Sequence, residues 1–249
     1  MGLMMRGLAS IARPIGRFLY PPVCAGCGGA VSEAAALCPA CWRTMRFIER
    51  PYCEVLGLPF SFDLGRGFLS AEAIAEPPAF ARLRAAVIYR DLASRLVASL
   101  KYSDRTDLVP LMAGWMARAG AELLDDAEVV VPVPLHSGRL FRRRFNQSAE
   151  LARAIARRRR LDFAPTSLVR VRSTRSQVGL GPEERRTNVR GAFQVRPERD
   201  DAVRGRRVLL VDDVFTTGAT VSAATRALKR AGAREVDVLV FARVASGGG

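Results

Sequence analysis

The segment Val208 to Thr220, VLLVDDVFTTGAT, limits the fold more than any other stretch of the chain. Its first part, Val208 to Val211, is an unbroken run of β-branched and Leu residues with no polar alternation. Such a run suits a strand buried on both faces, which requires a sheet covered by helices on both sides. Asp212 and Asp213 close the run, then come Thr216, Thr217, Gly218 and Thr220. Val221 to Ala231 follows with the spacing of an amphipathic helix. A helix N-terminus offers unpaired backbone N–H groups and a partial positive charge, so it accepts a phosphate. Gly218 lets the backbone approach closely and turn. The two carboxylates are acceptors and cannot face that phosphate; they suit sugar hydroxyls, or water around a Mg²⁺ ion. Taken singly, one Asp or one Thr is no more than a helix cap, and Asp212 a solvated strand end. Together they predict a site for a phosphorylated sugar.

The whole chain has 249 residues, 49% of them apolar and 25% charged, which fits one large globular domain plus a small one. No window reaches the ~18 uninterrupted apolar residues of a spanning helix. Residues 1–19 carry Arg6, Arg13 and Arg17 and lack a compact apolar core with a cleavage site. We expect a short amphipathic segment there, packed on the protein or touching a membrane surface, and a cytoplasmic protein. The net charge is +15 and nearly all of it is arginine, since Lys101 and Lys229 are the two lysines. That excess favours polyanionic partners or phosphorylated substrates without choosing between them.

All five cysteines lie between residues 20 and 53. Cys24-Ala-Gly-Cys27 and Cys38-Pro-Ala-Cys41 have the spacing of a four-cysteine zinc ribbon, each pair forming one knuckle. Such a zinc ion is structural, because four thiolates leave no open position for a substrate. The alternative, two disulfides, is disfavoured without a secretory signal. Cys53 is left over and reads as a buried or free thiol.

From there the chain reads as follows. Residues 54–84 are an irregular connector rich in Gly, Pro, Ala and Phe. Ala85 to Arg90 is a strand, Leu92 to Tyr102 a helix, and Leu108 to Leu124 a longer helix with Pro110 in its first turn. Glu128 to Pro134 is a buried strand stopped by Pro132 and Pro134. A loop with four arginines between Arg139 and Arg144 precedes an Ala/Arg helix to about Arg160. Pro165 to Val171 reads as a strand. The polar stretch from Arg172 to Asn188 is too polar for a core element, and a loop of that length is commonly functional. Ala192 to Val195 is a short strand and Val236 to Val244 the last buried one, followed by a flexible tail at 245–249. Strands alternating with helices over 85–244 predict an α/β fold, an open parallel sheet with helices on both faces.

The stretch VLLVDDVFTTGAT closely resembles the phosphoribosyl pyrophosphate (PRPP) signature of type I phosphoribosyltransferases. The resemblance implies that Asp212 and Asp213 hold the ribose hydroxyls at the catalytic centre. It also implies that Thr216, Thr217, Gly218, Ala219 and Thr220 cradle the 5′-phosphate. The order of the pieces is similar to the ComF family: the Cys-rich start, YRDLASRLVASLKY, VVPVPLHSGRLFRRRFNQS, RSTRSQVGL and the signature strand. That family joins zinc ribbon elements to a type I phosphoribosyltransferase-like domain and is linked to DNA uptake in naturally transformable bacteria. By this resemblance, Val133 to Arg139 is the pyrophosphate-binding loop, with Pro134, Leu135 and Arg139 as contacts. Arg172 to Asn188 is the mobile loop that closes over PRPP, with Arg172, Arg175, Gln177, Arg185 and Asn188 as its polar contacts. Two departures stand out. Relatives carry a further Cys pair where this chain has Cys53 with Val55 or Leu56, so a second zinc site is not expected. Relatives also often have Gly where Arg144 precedes Phe145.

The resemblance implies PRPP with Mg²⁺ as ligand, and transfer of a phosphoribosyl group to an acceptor that the sequence does not name. A different reading makes the chain a single-stranded DNA-binding partner of the uptake machinery. There the zinc ribbon and arginines hold phosphates, and Trp42, Tyr52, Phe141 and Phe145 are the candidates for base stacking. A third makes it a regulatory partner that senses PRPP without chemistry.

Overall fold

The structure, a computed structural model, describes residues 21–63, 65, 67–135, 145–172 and 182–245. The N-terminal amphipathic segment, most of the arginine loop and residues 173–181 lie outside that set. Among the described residues two short helices come first, α1 (Pro39–Thr44) and α2 (Ala71–Ala75). The expected irregular connector therefore holds one helical turn and part of a second.

The sheet is built from β1 (Leu83–Ile88), β2 (Val129–Pro132), β3 (Asp162–Phe163), β6 (Arg207–Phe215) and β7 (Glu235–Arg243). Its order is β1-β7-β6-β2-β3 and every pairing is parallel. The register places Val129 beside Val208 and Pro132 beside Val211, and on the other side of β6 it sets Val211 beside Leu239. The apolar runs of β6 and β7 thus occupy the centre, as a strand without polar alternation requires.

Helices α3 (Asp91–Tyr102), α4 (Val109–Ala119), α5 (Ala121–Asp126) and α6 (Gln147–Arg159) cover one face. Leu209 and Val211 point into that layer, among Leu96, Met112, Met116 and Leu151. Val208 and Leu210 point the other way, into a layer with α8 (Ala219–Arg230). The alternation along four consecutive residues explains why none of them is polar.

The structure corrects several boundaries. The long helix expected over Leu108 to Leu124 breaks into α4 and α5 at Gly120. There the backbone presses on β7, and a Cβ would lie 2.7 Å from a Leu239 methyl. The strand expected at 165–171 shortens to β4 (Leu168–Arg170). It pairs antiparallel with β5 (Phe193–Val195) in a separate two-stranded sheet, outside the parallel one. The polar stretch 172–188 is not all loop, since α7 spans Pro182–Val189 and ends on the fully buried Val189. The signature strand runs past its apolar run to Phe215, because Asp212, Val214 and Phe215 continue the ladder with Val240, Ala242 and Arg243.

β1 is a sheet edge, and unpaired edges invite association. Residues between the two short helices cover it. Phe47 pairs antiparallel with Val87, Ile48 N–H donates to Ala86 O at 3.0 Å, and Leu83 N–H donates to Val55 O at 2.7 Å. Arg84 locks the same edge from within. Its side chain is 2% exposed, donates to Glu54 O at 2.9 Å and pairs with the carboxylates of Glu54 and Glu122. Arg84 is the buried member of these pairs, while Glu54 and Glu122 keep solvent and Arg50 as partners. Its removal forfeits the hydrogen bonds to Glu54 O and Leu83 O and takes that donor from both carbonyls. Arg84→Met is expected to lower stability by about 2–4 kcal/mol in urea unfolding. Arg95→Met, at an exposed position of α3, is expected to stay within about 0.5 kcal/mol. Equal midpoints for the two variants would contradict this role for Arg84.

Candidate functional site

The two signature carboxylates sit inside the ladder of β6. Asp213 is buried and Asp212 partly so. Three side chains to which the sequence assigned no role in the site meet them. Lys101, from the last turn of α3, places Nζ 3.0 Å from Asp213 Oδ1. Gln147 Nε2 donates to Asp213 Oδ2 at 2.9 Å, and Ser148 Oγ donates to Asp212 Oδ1 at 2.8 Å. Asp213 N–H donates to the same Asp212 oxygen at 2.9 Å. Asn146 organises this start of α6. It caps the helix through Ser148 N–H at 3.0 Å, and its Nδ2 donates to Val133 O at 3.0 Å. The three residues Asn-Gln-Ser therefore act separately. The first caps the helix and ties it to the exit of β2, and the other two hold one carboxylate each.

Lys101 neutralises one of the two charges, and the other remains costly. Burial, and then the neighbouring charge of Asp213, push the Asp212 carboxyl up from its ordinary value of 3.8 to about 7. The hydrogen bonds from Ser148 and Asp213 N–H and the charge of Lys101 oppose this without cancelling it. A ligand that brings hydroxyl donors or a cation to this pair relieves that cost. Gln147 adds a second demand. Its side chain is 4% exposed and its Oε1 has no partner among the described residues. A buried amide oxygen in that state is an acceptor awaiting a donor.

Beyond Phe215 the chain turns through Thr216 and Thr217, both exposed, into α8. Gly218 caps the helix with φ +74°, in the left-handed region. A Cβ there would also lie 2.9 Å from the Phe215 ring, so both dihedral and space demand glycine. The first N–H groups of α8 open onto a cleft of about 330 Å³. Asp212, Asp213, Lys101 and Gln147 line it together with Thr216, Gly218, Ala219 and Thr220. Pro134 and Leu135 reach it from the exit of β2. Thr217 is exposed beside the cleft and does not line it. The cleft lies outside the carboxyl ends of β2 and β6, the place where open α/β sheets bind ligands.

The remaining expected contacts divide. Arg172 is exposed and donates to Asn188 O at 3.2 Å, so these two are in mutual contact and outside the cleft lining. Arg185 lies on α7. Arg139, Arg175 and Gln177 lie outside the described residues.

At the other end of the chain, the four expected metal ligands converge. The Sγ atoms of Cys24, Cys27, Cys38 and Cys41 all lie within 4.8 Å of one another, and none is in a disulfide. Local backbone explains the approach. Cys38 caps α1, and its N–H donates to Cys24 Sγ at 3.2 Å while Gly26 N–H donates to the same sulfur at 3.4 Å. Burial opposes ionisation of Cys24, yet these N–H donors outweigh it and draw the thiol down to about 6. Burial and the charge and thiols of its neighbours push Cys41 up to about 12. Four thiols so gathered, and in no disulfide, are the donor set of a structural zinc site, whose ion would offset the charge of the thiolates.

A parallel sheet with an acidic pair, a glycine-led helix start and a separate four-thiol ribbon defines a phosphoribosyltransferase-type domain joined to a zinc ribbon. The family model of the phosphoribosyl transferase domain matches residues 146–249 and that of the double zinc ribbon domain matches residues 15–73. The chain is 32% identical over 232 residues to the DNA utilization protein YhgH of Salmonella typhimurium, covering 89% of this chain and 90% of that protein. It is 30% identical to the protein of that name from Escherichia coli K12, covering 83% of this chain and 90% of the relative. Identity to competence protein F of Haemophilus influenzae is 27%, over 88% of this chain and 96% of that one. The chain belongs to the ComF/YhgH family.

The raised carboxyl of Asp212 gives a signed expectation. A carboxylate whose folded value lies above its unfolded one makes the native state the stronger proton binder between the two values. Stability then falls as pH rises from about 4 to about 7 and stays reduced above. Asp212→Asn keeps an oxygen acceptor for Ser148 and removes the charge. It is expected to raise unliganded stability by about 1–3 kcal/mol near pH 8, with the gain shrinking toward pH 5. Thermal melts across that range check it; a gain that grows on acidification would refute the assignment. Gly218→Ala is expected to lose about 1–3 kcal/mol from the strained dihedral and the Phe215 contact.

Proposed function

We propose that this chain binds PRPP together with Mg²⁺ in the cleft at the carboxyl ends of β2 and β6. The observation that carries the reading is one wall of that cleft. There the acidic pair and the Gly218-led start of α8 lie a few residues apart, one suited to hydroxyls and the other to a phosphate. In this reading Asp212 and Asp213 accept the ribose hydroxyls. The backbone from Thr216 to Thr220 holds the 5′-phosphate, with the Thr216 and Thr220 hydroxyls as added donors. Pro134 and Leu135 border the diphosphate, and Arg139 neutralises it as a bidentate partner. Arg172, Arg175, Gln177, Arg185 and Asn188 belong to a segment that closes over the ligand.

The residues present fit a magnesium diphosphate ester. Asp212 is destabilised as a lone anion, and Gln147 Oε1 lacks a donor among the described residues. Both carboxylates would serve the ion, directly or through its water. When bound, Mg²⁺ supplies positive charge to the departing diphosphate. The chain's own part is to orient the ribose through Asp212 and Asp213, to fix those carboxylates through Lys101, Gln147 and Ser148, and to exclude water. Transfer of the phosphoribosyl group to a nucleophilic acceptor is the reaction this supports.

We assign residues 1–19 to the amphipathic segment, 20–53 to the ribbon, 54–84 to the connector and 85–244 to the phosphoribosyltransferase-like domain. The relatives' names, which speak of DNA utilization and competence, favour a role in DNA handling. A specific observation supports a second reading in which single-stranded DNA binds the ribbon side. Trp42 is 46% exposed and meets Phe47 at a tilt and Trp115 edge-on, ring centroids 4.8 and 5.9 Å away, which offers an aromatic surface beside the exposed Arg43. Tyr52, by contrast, is already engaged by the guanidinium groups of Arg50 and Arg84 at 4.7 and 4.6 Å.

Calorimetry with PRPP and Mg²⁺ tests the first reading. Saturable binding by the native chain is expected, weakened by at least about tenfold in Asp212→Asn/Asp213→Asn, since two charge-assisted contacts are lost. Native protein that binds no PRPP would falsify it. Anisotropy of a labelled oligonucleotide across a salt series tests the second, with salt-sensitive binding reduced by Trp42→Ala as the expected result.

A further inference from the structure

The double-ribbon match extends to residue 73, far past the last of the four clustered cysteines. The backbone shows what it is following. At the first knuckle Val23 pairs with Ala30, Cys24 N–H donates to Gly29 O at 2.7 Å, and Val31 N–H donates to Pro22 O at 3.0 Å. Gly28 N–H returns to Cys24 O at 2.9 Å, with Gly28 at φ +75°. The same set recurs further along, every partner shifted by one constant interval. Tyr52 pairs with Pro59, Cys53 N–H donates to Leu58 O at 2.8 Å, and Phe60 N–H donates to Pro51 O at 2.9 Å. Gly57 N–H returns to Cys53 O at 2.8 Å, with Gly57 at φ +57°.

The second half of the ribbon recurs as well. Cys38 donates its N–H to Cys24 Sγ at 3.2 Å and caps α1, its sulfur accepting Cys41 N–H at 3.5 Å. Ser70 donates its N–H to Cys53 Sγ at 3.2 Å and caps α2, its hydroxyl accepting Ala73 N–H at 3.3 Å. The cap dihedrals agree, −68° and 161° at Cys38 against −73° and 154° at Ser70. Leu56, Ser70 and Ala73 thereby stand where Cys27, Cys38 and Cys41 stand in the first ribbon.

We infer that residues 51–75 are a second zinc ribbon that has kept its backbone and lost its metal, with Cys53, Leu56, Ser70 and Ala73 at the four ligand positions. One thiol, one hydroxyl and two hydrocarbon side chains do not make a zinc site, which needs about four nitrogen, sulfur or carboxylate donors. Packing and the sheet replace the ion. Cys53, Leu56 and Ala73 are 0%, 4% and 5% exposed and join the core layer of Phe80 and Leu83. The knuckle's carbonyls are used by the sheet. Val55 O accepts from Leu83 N–H at 2.7 Å, Glu54 O from Arg84 at 2.9 Å, and Leu56 O from the buried Arg243. Burial alone would raise the Cys53 thiol, but the hydrogen bonds from Ser70, Leu56 and Val55 outweigh it and lower it. Where a metal once tied the knuckle to the helix, the sheet edge now holds both.

Metal counting on the purified full chain tests this, independently of any PRPP binding. The native protein is expected to hold about one zinc per chain. That zinc is lost in Cys24→Ser and retained in Cys53→Ser. Leu56→Cys/Ser70→Cys/Ala73→Cys rebuilds four thiols on the existing backbone and is expected to hold about two, with the tetrahedral Co²⁺–thiolate absorption roughly doubled on cobalt substitution. Two zincs in the native chain, loss of metal from Cys53→Ser, or a folded triple variant that stays at one would overturn the inference. Should the triple variant not fold, the native and Cys53→Ser counts decide alone.

Discussion

Two carboxylates side by side on a central strand repel each other, and much of the surrounding structure answers that repulsion. Lys101 comes from α3 and Gln147 and Ser148 from α6, two helices on one face of the sheet, and they converge on Asp212 and Asp213. The alignment of α6 follows, since Asn146 must cap it and hold Val133 O at once. The exit of β2, the start of α6 and the middle of β6 are thereby tied into one wall of the cleft. Even so, burial and the charge of Asp213 leave the Asp212 carboxyl raised to about 7.

The far edge of the sheet meets a different constraint. β1 would be an open edge, and the ribbon region closes it by supplying Phe47, Ile48 and Val55 as pairing partners. The two ribbons straddle this edge. Cys24 and Cys41 pack with the helical layer of α3, while Cys53, Leu56 and Ala73 pack with the opposite one. Arg243 connects the second of them to the cleft, because its guanidinium donates to Leu56 O and lies 5.4 Å over the Phe215 ring. That ring is the floor on which Gly218 turns. The ribbon pair thus acts as sheet edging and as a support for the loop at the opposite end of β6.

Local pattern revealed what depends on local pattern. The apolar run of β6 and the spacing of the two Cys pairs are complete signals within a few residues, and both elements lie where periodicity places them. The polar stretch around Arg185 was harder: α7 has little amphipathic character and is anchored by Val189 at its end, so no periodicity announces it. β3 is two residues long and forms only because β2 offers it an edge. Lys101 stands near the end of the segment YRDLASRLVASLKY, but nothing in that helix says that its partner is Asp213, which only the packing of α3 against β6 decides. Gln147 and Ser148 stood inside a specific motif, yet their partners lie more than sixty residues away, at separations of 66 and 64.

The class of the sheet, the glycine-led turn into α8, the acidic pair and the four-thiol cluster are all legible from residues close together in the chain, because each depends mainly on local spacing. The tertiary structure alone decided which charges meet that pair, where the long helix breaks against Leu239, and that the segment after Cys53 repeats a ribbon without its ligands. Those outcomes rest on contacts between distant elements and on backbone hydrogen bonds, and side-chain identity along the chain encodes neither directly.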